Sequence, residues 1–108
     1  MIIIKELKVA IELLSKNEFV QAHDVFEDLW RAYKDSKNTR EESFILKAFT
    51  NASISIELHK MNRSEHSTNV WNTFKKYENL IETIITPNRD KYKEIKTLIY
   101  TKRDEFIK

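Results

Sequence analysis

No glycine and no cysteine occur in the 108 residues, and proline occurs once, at Pro87. Each absence removes a class of function. Without cysteine there are no disulfides and no thiolate metal sites, so a metal would have to be held by His, Asp, Glu or by amide and hydroxyl oxygens. Without glycine there is no glycine-rich phosphate loop, which excludes nucleotide binding through a P-loop or a Rossmann fingerprint. Turns and helix ends fall to Asn, Asp, Ser and Pro87, a repertoire suited to short helix connections and poor for tight β-hairpins. Long apolar runs are missing too. The isoleucine run 2–4 is followed at once by Lys5 and Glu6. It is too short to span a membrane and lacks the basic flank and small-residue cleavage site of a secretory signal. The expectation is a cytoplasmic protein with no membrane partner.

Charge of one sign is not in excess. Nineteen basic residues stand against 17 acidic ones, a formal net charge of +2. The C-terminal stretch is the most basic, with Lys91, Lys93, Lys96, Lys102, Arg103 and Lys108 interleaved with Asp90, Glu94, Asp104 and Glu105. That interleaving suits a solvated helix face with intrahelical ion pairs. No nucleic-acid-reading motif accompanies it, so nucleic acid is not an expected partner.

What is present is helical periodicity throughout, in a chain long enough for one domain (residues 1–108) with its own core. Ile4, Leu7, Ile11 and Leu14 recur over 2–15, and Ser15-Lys16-Asn17 punctuates the end. A second helix is expected over 18–35, with Phe19, Ala22, His23, Phe26, Trp30 and Tyr33 on one face. Thr39 with Glu42 reads as a capping box for a third helix over 40–61, striped by Ile45, Ala48, Ala52, Ile56 and His59. Ser64 reads as the cap of a fourth over 65–85, with Val70, Phe74, Tyr77 and Ile81 inward and Pro87 as its stop. Asn88 or Asp90 opens a fifth, with Tyr92, Ile95, Ile99 and Phe106 inward. Short connections between such helices predict an all-α fold, a compact antiparallel bundle of about five helices. Ala48 and Ala52 leave room for a close helix approach, which Phe26 and Trp30 are sized to fill.

Three polar residues sit where apolar ones belong. His23 interrupts the stripe of the second helix, Glu27 follows one turn on, and His59 continues the stripe of the third. If those helices pack antiparallel, the start of one meets the end of the other and the two imidazoles converge, with Glu27 and Ser55 one turn deeper. Two histidines and a carboxylate make a three-ligand set for a divalent metal such as zinc, with a position open for an activated water. Asp24 and His66 are second-tier members of the same cluster. The competing reading is a hydrogen-bond network that satisfies its own polar atoms and holds the helices together. Arg31, Arg40 and Arg63 are candidates for an anionic substrate and, more simply, surface charges. Trp71 and Tyr100 are candidates for an exposed interface, including one with a second copy; Trp71, one step off its helix's main stripe, also reads as a widening of the core.

The residues also carry a resemblance. Asn17-Glu18-Phe19, then Ala22-His23-Asp24, then Glu27-Asp28-Leu29-Trp30 resembles the A-H-E-x-x-E-x-x-W signature of a small helical bacterial and archaeal family. The stretch from Ile45 to His59 followed by Asn62 is similar to that family's Q-G-x-I-Q, alanine, histidine and asparagine. The family is domain of unknown function family 309, some of whose members carry a metal-dependent hydrolase label. The resemblance covers about residues 14–80 and implies an all-α fold, a site at His23, Glu27 and His59, and Trp30 and Asn51 beside it. Asp24 stands where the family has Glu, Lys47 and Ala48 where it has Gln-Gly, Asn51 for its second Gln, and Glu65-His66 for its later Gly-Ala pair. The two functions that follow are a metal-dependent hydrolase and a non-enzymatic helical interaction or self-association module.

Overall fold

The apolar spacing becomes helices and turns alone. The computed structural model describes residues 2–107, and no strand forms among them. Lys108, counted above with the basic C-terminal stretch, lies outside the described residues. Helix α1 spans Ile4–Ser15, α2 Phe19–Lys34, α3 Arg40–Lys60 and α4 Ser64–Tyr77; α5 is the single turn Leu80–Thr83, and α6 spans Arg89–Phe106. No helix among the described residues is long and apolar enough to cross a membrane.

The bundle is antiparallel and α3 is its axis. Phe26 of α2 meets Phe49 of α3 at 5.4 Å between ring centroids, and Lys60, at the far end of α3, lies 5.4 Å from the ring of Phe19 at the start of α2. Phe44 stacks on Tyr77 at one end of the α3–α4 pair, and the Ser67 hydroxyl donates to the Ser55 carbonyl at the other. The expected stripe Ile45, Ala48, Ala52 and Ile56 is wholly buried, and so are Leu46 and Phe49 on other sides of the same helix. Phe49 is the hub. Its ring lies 5.4 Å from Phe26, 6.3 Å from Phe74 and 5.9 Å from Tyr92, tying α2, α4 and α6 to α3. Such tilted aromatic contacts add to the burial of the rings themselves. Tyr92, Ile95 and Ile99 of α6 are buried as expected, and Phe106 packs edge-on against Phe19.

Several local expectations are corrected. The stripe of α2 is Phe19, Ala22, Phe26, Leu29 and Tyr33, so His23 and Trp30 flank it half-buried instead of lying within it. The expected fourth helix breaks after Tyr77. The hydrogen bonds from Ile81 N to Glu78 O and from Glu82 N to Asn79 O span three residues, a tighter turn than α allows. The helical segment ends at Thr83, well before Pro87, and Arg89 holds the end in place by donating to the carbonyls of Ile81 and Glu82. Arg63, not Ser64, occupies the N-cap of α4, with no side-chain cap bond.

The capping box does not form. The Thr39 hydroxyl donates to the Tyr33 carbonyl at 2.7 Å, closing the end of α2. Glu42 turns inward, 8% exposed, and accepts hydrogen bonds from the Tyr92 hydroxyl and, at 2.9 Å, from the Asn88 amide. Asn88 also donates to the Tyr33 hydroxyl at 3.3 Å and accepts from the Ile3 amide at 3.0 Å. Burial, then the nearby Glu42 charge, pushes the Tyr33 phenol up to about 12. Burial and the hydrogen bond to Glu42 push Tyr92 higher still. Both phenols therefore stay protonated at neutral pH.

Without glycine, asparagine supplies the left-handed backbone at two corners. Among the described residues, positive φ occurs at Asn17 (64°) and Asn62 (62°). The two corners are built alike. Glu18 N donates to Leu13 O and Asn17 N to Leu14 O; Arg63 N donates to Leu58 O and Asn62 N to His59 O. Each is a Schellman closure, which requires that left-handed residue just past the helix. Asn tolerates the position better than other side chains and worse than glycine. Replacing Asn17 or Asn62 with Ala is expected to cost about 1 kcal/mol each, and replacement with Gly to be neutral or stabilising, as read by urea denaturation.

Candidate functional site

The polar residues of α2 form a chain along its solvent side. His23 Nδ1 lies 3.1 Å from Asp24 Oδ1, His23 Nε2 lies 3.9 Å from Glu27 Oε2, and Glu27 Oε1 pairs with Arg31 Nη2 at 3.1 Å. The His23 side chain is 23% exposed, Glu27 32%, Arg31 61% and Asp24 68%, so the chain runs from the edge of the core out into solvent. Trp30 continues the edge, half-buried, with Lys34 Nζ 4.9 Å and Lys47 Nζ 6.0 Å from its ring centre. Cations over an indole face are attracted by its quadrupole.

His59 is half-buried near the C-terminal end of α3, and Lys60 beside it lies over the ring of Phe19 at the start of α2. Among the described residues no group of three or more His, Asp or Glu is arranged to hold a metal ion. The expected metal set of His23, Glu27 and His59 is therefore corrected: α2 and α3 pack antiparallel, but these residues are not arranged to hold a metal ion.

The supporting residues have other partners. Asn51 donates back to the Lys47 carbonyl of its own helix at 2.9 Å, and the Ser55 hydroxyl to Ala52 O at 2.6 Å. His66 is exposed and contacts Arg63 at 3.0 Å across the start of α4. There it lines an open depression of about 480 Å³ with Asn62, Arg63, Ser64, Glu65 and Asn69. None of these three residues touches Glu27 through those bonds.

A second charged cluster was hidden from the spacing. Glu78, at the break between α4 and α5, is nearly buried. It takes Lys75 Nζ at 2.6 Å on one oxygen and the Tyr100 hydroxyl at 2.7 Å on the other, with Lys96 at 3.9 Å. Trp71 widens the core, the second of its two expected roles: it is buried beneath the Arg103 guanidinium, whose carbon lies 4.0 Å from the ring centre, and Tyr100 meets it edge-on at 5.4 Å. Burial lowers Arg103 from its ordinary value. Burial alone would raise the Glu78 carboxyl. The hydrogen bonds from Lys75 and Tyr100 and the neighbouring lysine charges outweigh it and hold Glu78 below the usual carboxylate range.

Comparison with known proteins adds one finding. The family model described as Domain of unknown function (DUF309) matches residues 7–70, from α1 into α4. The chain belongs to that family. No curated protein and no solved structure matches it. The matched region contains His23, Glu27, Trp30, His59 and Glu42, whereas Asn88 and Tyr92, the partners of Glu42, lie beyond it.

The sign of the Glu78 shift sets a pH dependence. A carboxyl lowered in the folded state contributes stability above its unfolded value, lost as pH falls through the folded value. Wild-type stability is expected to fall on acidification between about pH 5 and 3, the carboxylate range. Glu78→Gln is expected to flatten that slope, as read by urea denaturation at stepped pH.

Proposed function

We propose that this member of the DUF309 family is a non-enzymatic helical interaction module, and that the outer face of α2 with the adjoining edge of α3 is its recognition surface. The observation that carries this reading is the position of the signature residues. His23, Glu27 and Trp30 lie beside the buried stripe of α2 and spend their contacts on one another and on surface cations. The buried stripe of α2 is Phe19, Ala22, Phe26, Leu29 and Tyr33, with Trp30 packed partly buried against its edge and His23 and Glu27 outside it. A half-exposed indole flanked by charged side chains is also the composition of an interface anchor: a large rigid apolar body with a polar rim.

The competing hydrolase reading requires His59 to join His23 and Glu27 around a divalent metal, and no such group is arranged among the described residues. Titration calorimetry of the tag-free protein with zinc and with manganese separates the two, beside a His23→Ala/His59→Ala variant. The interaction reading predicts no stoichiometric heat in either protein. It also predicts that His23→Ala and Glu27→Ala each change unfolding free energy by no more than about 0.5 kcal/mol, as surface substitutions do. One-to-one metal binding lost in the double variant would overturn the reading in favour of a metal site. Losses of several kcal/mol without metal binding would make the residues structural.

A further inference from the structure

We infer that the strip running from Trp30 of α2 across Lys47 and Phe44 of α3 to Tyr77 of α4 binds an acidic peptide segment of another protein, one that also carries an apolar side chain. The inference rests on the recognition reading of α2 and the adjoining edge of α3, and names the chemistry of the partner. The strip is continuous across three helices. Lys34 Nζ lies 4.9 Å and Lys47 Nζ 6.0 Å from the centre of the Trp30 ring. Phe44 precedes Lys47 by three residues, a neighbour on the surface of α3. It stacks on Tyr77 with 5.1 Å between centroids and 19° between planes, and Lys76 Nζ lies 5.2 Å from the Tyr77 ring. Trp30, Phe44 and Tyr77 are half-buried, so each keeps part of its ring in solvent.

The charge on the strip points to an acid. Among the described residues Lys34, Lys47 and Lys76 form no ion pair with a carboxylate, whereas all four lysines of α6 do. Asp35 and Glu41, exposed on the turn and helix start that join α2 to α3, pair with none of them. A ring face attracts an ammonium without neutralising it. The three lysines therefore keep their charge, and Arg40, whose Nε donates to the Lys34 carbonyl at 3.4 Å, adds to it. A partner carboxylate accepts a charge-assisted hydrogen bond from such an ammonium. An apolar side chain beside that carboxylate packs on the exposed ring edges. Single-stranded nucleic acid carries the same sign of charge, but it binds by stacking bases on open ring faces. Here the rings already carry partners, Trp30 two lysines and Tyr77 a phenyl ring and a lysine. Peptide carboxylates fit this strip better than stacked bases.

Fluorescence anisotropy on the whole chain tests this with a labelled peptide of glutamates around one phenylalanine. The comparison probes are the same peptide with lysine for glutamate and a single-stranded oligothymidylate. Lys47→Glu/Lys76→Glu reverses the charge of the strip, and Lys34→Glu does so from α2 alone. Lys5→Glu/Lys8→Glu makes the same change of net charge as the first variant at exposed positions of α1. The wild type is expected to bind the acidic peptide saturably, at least about tenfold more weakly at high salt, and to ignore the lysine peptide. Both strip variants are expected to lose binding with an unchanged helical spectrum, by at least about tenfold for the double one, and the α1 variant to lose less than about twofold. No binding by the wild type, equal losses in the strip and α1 variants, or tighter binding of the oligothymidylate would overturn the inference. The recognition reading itself stands or falls on the metal titration, which none of these results moves.

Discussion

A carboxylate buried at the start of the central helix needs donors, and the arrangement of the other elements follows from supplying them. Glu42 takes one hydrogen bond from Tyr92 and one from Asn88, both brought by the C-terminal helix. Asn88 in turn holds the Ile3 amide ahead of α1 and the Tyr33 hydroxyl at the end of α2. Four separated stretches thus meet at one buried polar point. Breaking such a buried group by removing one partner is strongly destabilising, whereas its net worth when satisfied is modest. It ties the start of α6 to the start of α3. From that point α6 runs across Phe49 with Tyr92, Ile95 and Ile99 inward.

The helices were legible because their apolar spacing follows the helical period, and the corners because Asn replaces the absent glycine. Asn17 and Asn62 were readable as punctuation, and both adopt the left-handed conformation that the closures need. Other features depended on what lies across space. Thr39 and Glu42 have the spacing of a capping box, yet each found a partner from another helix, the carbonyl of Tyr33 and the donors of α6. Local spacing cannot register that competition. The stripe of α2 was misjudged by one position because His23 and Trp30 were counted inward at the expense of Leu29. Trp71 lies beside its helix's main stripe, so spacing leaves its side open between core and surface; Arg103 of α6, remote in sequence, covers it.

The candidate site divides the same way. His23 and Glu27 were legible as polar residues beside an apolar stripe, and they do lie together. Their joining with His59 into a metal set depended on how the facing helices place their side chains, which spacing along one helix does not give. What remains on the surface of α2 is a chain of paired charges, from Asp24 and His23 through Glu27 to Arg31, beside the partly buried Trp30. The family match covers the helices bearing that face and stops short of the residues that answer Glu42.

The most direct test of this account is a double-mutant cycle between Glu42→Gln and Tyr92→Phe, followed by urea denaturation. If the carboxylate and the phenol act as one buried unit, the two substitutions are non-additive, with a coupling of about 1–3 kcal/mol. Additivity to within about 0.5 kcal/mol would contradict it.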